Sequence, residues 1–585
     1  MRTALRTGLA AAALFLLPSL LFAQAEITGV VRDTSGAVLP GVTVEAASPA
    51  LIERVRSVVT DGAGQYRIVD LRPGAYSVTF TLTGFNTVKR EGIELAGSST
   101  FVVSVDMRVG AVEETVTGQA AVVDVQTVTK QAVLNHEIID SIPTGRNYYS
   151  LGVLIPGVSS NATDVGGSTG DAMAQLTVHG SRASSQRLTQ NGVSTAGLSV
   201  SGGFAGTVPN VSAAAEVTVD TNAASAELAT GGVRINFVPR DGGNTLSGSM
   251  FAGFAHENLM QADNFTQRLK DRGLSAPGAI KKNWDVAPGV GGPLRKDSLW
   301  YYFTARYNGA QNYAAGIFEN KNAWDPTKWT YEADTSKPVL GTRGDWEDGK
   351  IRLTWQANQK NKLAGEWDQQ RYCRCPNGIS ATVSPEAARD RRFPTERTLM
   401  AEWSSPVTNR VLLEAVALHR NTGWGEVHLQ PSGSLKDPAK LAVYPQMISV
   451  VEQSSGLRYR AAENFNKNYN DNYFYRGAFS YVTGSHAFKT GFNNTQGQLN
   501  DRTYDFNPVN YRFNNGVPNQ VTVYATPYRN RAEEDADFGI FAQDRWTMGR
   551  LTLMGGLRYD YFKTHFPEMR LEPGKLVPTR NITFA

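Results

Sequence analysis

From Leu246 onward, apolar and polar residues alternate. Leu246, Gly248, Met250, Ala252 and Phe254 fall on one face of an extended chain, with Ser247, Ser249 and Gly253 on the other. Ile351, Leu353, Trp355 and Ala357 oppose Arg352, Thr354 and Gln356 in the same way, and Leu551, Leu553, Leu557 and Tyr559 oppose Thr552, Arg558 and Asp560. A period of two predicts strands with one apolar and one wet face, the pattern a membrane barrel requires. About eleven such strands can be marked between residues 241 and 585, in ~10-residue alternating segments. Short turns (Asn358–Asn361, Val482–Ser485, Thr547–Arg550) alternate with long connections near 309–346, 421–471 and 497–534. The aromatic runs Trp300–Phe303 and Tyr473–Tyr475 are expected in the girdles at the membrane interfaces.

Upstream the pattern changes. Residues 26–108 carry short strand-like runs, such as Gly29–Val31, Val42–Ala46, Tyr66–Val69, Tyr76–Thr81 and Phe101–Met107. They are separated by Asp33–Gly36, Asp61–Gly64 and Arg72–Gly74, which supply the Gly, Pro or Asp of tight turns. This spacing predicts a β-sandwich. The Asp-Gly turns lack the dense carboxylates of a calcium loop and read as plain turns. Residues 109–120, VGAVEETVTGQA, form a linker in which Thr115, Val116 and Thr117 favour extended backbone. Residues 121–240 open with a short helix at Asn135–Pro143. They close on a strand in which Val233, Ile235 and Phe237 alternate with Arg234 and Asn236. The polar breaker Pro239–Asn244 then separates this soluble pattern from the barrel pattern.

Composition narrows the reading. With 58 basic and 54 acidic residues the chain has a formal charge of +4, which gives no electrostatic footprint for nucleic acid. A mean hydropathy of −0.31 speaks against a helical membrane protein but not against a barrel, whose strands are apolar only on alternate residues. Residues 1–25 read as a secretory signal: Arg2 and Arg6, an apolar run from Gly8 to Leu17, then Ala23-Gln24-Ala25. The apolar run is shorter than the ~20 residues of a spanning helix. Cys373 and Cys375 are the only cysteines, so an exported chain can close them as a disulfide, and no neighbouring His completes a metal set. The seven histidines are scattered, and neither a nucleophile elbow nor a phosphate loop is present. No catalytic, cofactor or metal residues are assigned, and the chain is not expected to be an enzyme.

Several stretches resemble a known family. GGVRINFVPRDGGN (231–244) is similar to the end of the plug domain of TonB-dependent outer-membrane transporters. Thr144–Gly157, Val178–Arg182, Gln190–Val193, Gly291–Asp297, Gly484–Gly491 and Phe541–Trp546 resemble runs of its Oar-like branch. Residues 26–108 are similar to carboxypeptidase regulatory-like, transthyretin-type domains. Two positions depart from the family pattern: His179 where Arg is usual, read as a turn or packing residue, and Asn191 where Asp is usual.

The resemblance implies a mainly β chain: signal peptide (1–25), sandwich (26–108), linker (109–120), α+β plug (121–240) and the first part of an outer-membrane barrel (241–585). It implies that Glu113, Glu114, Thr115, Val116, Thr117 and Gly118 are the TonB box, the segment grasped by a TonB-type energy-transducing protein of the inner membrane. An ordinary final strand or linker is the alternative for that segment. The function implied is import of an extracellular ligand (oligosaccharide, peptide or protein, or metal chelate) through a plugged barrel in the outer-membrane lipid. The sandwich and linker would be periplasmic and the long loops extracellular. The rival is a surface-binding or adhesion protein anchored by its barrel. A plugged transporter barrel takes on the order of 22 strands, so the chain is expected to stop within its barrel.

Overall fold

The structure is a computed structural model. It describes residues 25–584 apart from 34–36, 49–50, 52–53, 72–73, 96–99, 109–113, 118–130, 143, 162–173, 197–208, 223–224, 260–265, 274–278, 409, 428–442, 484 and 549–550. The expected signal sequence lies almost wholly outside the described residues.

Two small sheets pack face to face at the N-terminus. One contains Ala25–Asp33, Gln65–Leu71, Thr100–Val102 and Val105–Met107; the other runs in the order Val55–Val59, Thr43–Ala47, Gly74–Thr81, Val88–Leu95, Glu114–Thr117. Their inner faces supply Ile27, Val31, Val44, Ile68, Val78 and Phe80, all fully buried, each contributing about 1.5–3 kcal/mol of transfer free energy. The turn chemistry acts as the sequence suggests: the Asp61 carboxylate accepts from the Ala63 and Gln65 amides, both at 2.9 Å. Strands Val55–Val59 and Val88–Leu95, which the punctuation did not isolate, complete the second sheet.

The next segment forms a five-stranded sheet in the order Gln131–Asn135, Ala214–Asp220, Arg234–Pro239, Arg187–Gln190, Val193–Ser194. The expected short helix spans His136–Ser141, and the Asn135 side chain caps it by accepting from the Ile138 amide. Ile139, Tyr149, Leu151, Val217, Val219 and Ile235 form its core.

Beyond the breaker, eleven strands pair in chain order, each antiparallel to the next: Ser247–His256, Ala279–Arg295, Leu299–Asn320, Ala333–Gln356, Lys362–Asn377, Arg389–Thr408, Val411–Val427, Phe465–Thr483, His486–Tyr504, Tyr528–Met548 and Leu551–His565. The predicted hairpin about Asn358–Asn361 is present, with Trp355 opposite Leu363. Met250 and Phe254 stand 66% and 65% exposed, as an outward apolar face requires. Three expected long connections are shorter than their spans. Strands extend to Asn320, Val427 and Tyr504 and resume at Ala333, Phe465 and Tyr528. There the strict alternation of apolar and polar residues lapses while the backbone ladder continues.

The aromatic runs also divide. Phe303, Tyr473 and Tyr475 point outward, whereas Trp300, Tyr302 and Phe474 are buried on the inner side, because consecutive strand residues face opposite ways. Cys373 and Cys375 form a disulfide near the end of the Lys362–Asn377 strand, where Cys373 pairs with Arg392 in the sheet. Trp329 stacks with Phe513 (6.1 Å) and Arg460, and Trp324 packs on Tyr444, so both rings hold the long loops together. Among the described residues no helix is long and apolar enough to cross a membrane.

Candidate functional site

The eleven-stranded sheet curves about the inner domain, and the contacts between them are mostly polar. It begins at the breaker. The Asp241 carboxylate accepts from Arg352 Nε at 2.7 Å and Thr354 Oγ1 at 2.6 Å, with Lys362 Nζ at 3.5 Å. Asn244 Oδ1 accepts from Trp300 Nε1 at 2.7 Å, and Arg240 donates to the Tyr302 hydroxyl at 3.1 Å. Gly242 passes so close to the wall that a Cβ there would lie 2.2 Å from the Tyr301 carbonyl oxygen.

Further round, Asn210 Nδ2 donates to Asp348 Oδ2 (2.6 Å), Gln190 Nε2 to Glu366 Oε1 (2.7 Å), and Asn191 Nδ2 to Glu402 Oε1 (2.8 Å). Arg420 donates to the Thr195 carbonyl oxygen. Glu227 pairs with Arg476 Nη2 (3.2 Å) and Lys489 Nζ (2.5 Å), and Arg558 Nη1 donates to the Glu227 carbonyl at 2.8 Å on the eleventh strand. Burial alone would raise the Glu227 carboxyl, but Lys489, Arg476 and Arg234 outweigh it and hold it far below the usual carboxylate range. An apolar patch interrupts the belt where Val193 meets Met400, Val416, Leu418 and Phe474.

The two departures from the family pattern acquire reasons here. Asn191 sits in a turn at φ 45° and donates to Glu402; Asp at that position would set two carboxylates against each other. His179 occupies a turn at φ 48°, and a Cβ on Gly157 would approach its ring to 3.2 Å, which fits packing rather than ligation.

Of the candidate box, Glu113 and Gly118 lie outside the described residues. Glu114, Thr115, Val116 and Thr117 form a strand that pairs in parallel with Val88–Glu91 at the edge of the sandwich. The sandwich in turn touches a short barrel turn through an ion pair between Asp61 and Arg410. The described part of the box, Glu114–Thr117, is paired with the sandwich and not with the inner domain's sheet. The inner domain's ring of polar contacts was missed at the level of sequence. Its signal was present in charged residues recurring at every second position on the wet face, Asp348, Lys350, Arg352 and Glu366, Asp368, and in Glu396 and Glu402 on one face of a third strand. What a wet-face charge pairs with across the lumen has no local signature.

Comparison with known proteins agrees with this architecture. The carboxypeptidase regulatory-like domain family matches residues 26–108, and the outer membrane beta barrel domain family matches residues 308–569. The fold is similar to the outer membrane transporter YddB from Escherichia coli (12% identity, TM-score 0.52, covering 77% of this chain and 62% of that one). It is likewise similar to the ferripyoverdine receptor of the Pseudomonas aeruginosa outer membrane (13% identity, TM-score 0.50, covering 80% of this chain and 55% of that one). A barrel sheet wrapped around a polar-bound inner domain and preceded by a regulatory-like sandwich therefore defines an outer-membrane β-barrel protein of the TonB-dependent receptor fold.

Sequence similarity narrows this further. The chain is 30% identical over 318 residues to the TonB-dependent transporter Oar of Myxococcus xanthus, a stretch that is 51% of this chain and 28% of Oar. It is a homologue of that transporter, located in the outer membrane. The relatives are transporters and receptors rather than enzymes.

Proposed function

We propose that the chain serves a TonB-dependent receptor that binds a ligand at its long-loop end and imports it past the plug, driven by a TonB-type partner. The short-turn end and the sandwich would face the periplasm. The observation that carries this reading is the polar ring between plug and wall. Most of its contacts are hydrogen bonds to charged groups, each worth a net ~1.5–3 kcal/mol, and water can take the place of each partner, so a pulled plug can leave and return without exposing a large apolar core. An anchor with no moving part has no need of such an interface.

The partner contact assigned to Glu113–Gly118 is the second component of the proposal. Its parallel pairing with the sandwich edge supports it, because a segment that adds to one sheet by main-chain hydrogen bonds can transfer to another. The test is binding of the purified periplasmic domain of a TonB-type protein to the immobilised chain. Val116→Pro removes one backbone donor from the segment and should weaken binding about tenfold, the equivalent of ~1.4 kcal/mol. Unchanged binding by this variant would reject the box, and no binding by the unmodified chain would reject coupling to that partner.

A further inference from the structure

The outward face of the barrel is not uniformly bulky. On adjacent strands Gly365, Ala401 and Ala417 stand side by side, Gly365 paired with Ala401 and Ala401 with Ala417. All three are exposed, and a Cβ on Gly365 would meet nothing within 4 Å. The next outward row toward the long loops is Trp367, Leu399, His419 and Tyr473, and the next row toward the short turns includes Leu363 and Trp403. The small residues, flanked in their own row by Leu353 and Tyr475 and walled on the long-loop side by the bulky row, leave a groove of about 470 Å³ in the membrane-facing surface.

One row above the bulky residues the same face turns polar, with Arg397 opposite Asn421 and Asn421 opposite Asp471. Asp471 is already engaged by His419 Nε2 at 2.6 Å, whose ring stacks on Tyr473 at 4.5 Å. Arg397 is exposed and makes no ion pair among the described residues. At a rise of ~3.3 Å per residue and a strand tilt of ~40°, it stands roughly 28 Å along the barrel axis from Thr408 at the short-turn end. That height is the upper edge of an apolar band ~25 Å tall. A cationic head at the interface above an apolar slot has the outline of one amphiphile.

We propose that this groove is a binding site for an anionic lipid of the leaflet at the long-loop end, with one acyl chain lying over Gly365, Ala401 and Ala417 and the charged headgroup on Arg397. The site is independent of transport: it requires only that the barrel be in a bilayer.

Trp367 on the groove wall reports occupancy directly. The full chain would be reconstituted in phosphatidylcholine vesicles doped with phosphatidylglycerol or phosphatidylcholine carrying brominated acyl chains. The Trp367 signal is isolated by subtracting a Trp367→Phe variant. Quenching is expected at a roughly fivefold lower mole fraction of the anionic lipid, the worth of one basic residue at an anionic surface. Arg397→Gln should abolish that preference while leaving quenching by both lipids. Ala401→Leu, or Gly365→Leu into the open space, should reduce quenching by both. Equal quenching of the unmodified chain by the two lipids, a preference that survives Arg397→Gln, or full quenching after the groove is filled would each overturn the proposal. Unchanged emission from the remaining tryptophans serves as the folding control.

Discussion

The Asp241 clamp sets how readily the last plug strand leaves the wall, and its removal has a calculable effect. The Arg234–Pro239 strand ends two residues before Asp241, so opening that strand pulls on the clamp. Asp241→Ala deletes a charge-assisted hydrogen bond from Arg352 and strands the Thr354 hydroxyl, whose residue is fully buried. Arg352 keeps its pairing with Glu402, which bonds both its terminal nitrogens, so the larger penalty of ~3–5 kcal/mol for isolating a buried charge does not apply. One charged hydrogen bond at ~1.5–3 kcal/mol, with one orphaned hydroxyl at ~1–3 kcal/mol, gives a central expectation of about 4 kcal/mol. At 1.36 kcal/mol per decade that is roughly a thousandfold in the opening equilibrium. Amide hydrogen exchange of residues 234–239 in the detergent-solubilised protein measures it. Asp241→Asn, which still accepts from Thr354, should lose about half. Exchange within threefold of the unmodified chain for Asp241→Ala would show that the clamp is already broken in solution or that opening does not pass through it.

Two further outcomes follow from single contacts. His136 is pushed below the usual imidazole value by burial and by Arg240, with Asp140 opposing. The unfolded chain then binds the proton more readily, so the first plug helix is destabilised as the pH falls below about 6.5. His136→Gln should flatten the rise in exchange of His136–Ser141 between pH 7.5 and 5, and an unaltered pH profile would exclude His136 as its source. Gly242→Ala places a methyl against the Tyr301 carbonyl. This overpacking costs ~1–3 kcal/mol and should lower the fraction of heat-modifiable barrel on gels, while Gly243→Ala, with open space around it, should not.

Much of the architecture was legible because it rests on local alternation. Val233, Ile235 and Phe237 declared the last plug strand, and Leu353 and Trp355 declared a barrel strand, since each needs only a period of two. The candidate site was far less legible. Arg352 looked like any wet-face residue, yet it joins Asp241, Glu402 and Glu366 from three separate segments. The sequence separations of 111 and 50 residues leave no periodicity to detect. The aromatic runs misled for a related reason. Trp300 and Tyr302 look like girdle residues beside Tyr301 and Phe303, but strand geometry sends them inward to Asn244 and Arg240.

The charges in the polar ring have a direction. Asp348, Glu366, Asp368, Glu396, Glu402 and Glu414 face inward from the wall, with Lys350, Arg352, Arg420 and Arg476 among them. The plug answers mostly with donors that carry no formal charge, such as Asn210, Gln190 and Asn191. Two acidic groups among the described residues are exceptions, Asp241 of the breaker and Glu227 of the inner domain, and each is met by wall cations. An amide donor gives a carboxylate a good hydrogen bond while adding no charge to be carried into water when the contact breaks. Withdrawing Asn210 or Asn191 therefore leaves a wall carboxylate that water can solvate, whereas withdrawing Glu227 takes a carboxylate from both Lys489 and Arg476, with Glu414 at 3.5 Å from Arg476. On that reasoning the Asn and Gln contacts open first and the Glu227 end holds longest, so a plug pulled from the sandwich side would hinge about Glu227. Exchange measured under partial denaturation should release residues near Asn191 and Asn210 before those near Glu227, and the reverse order would refute this polarity.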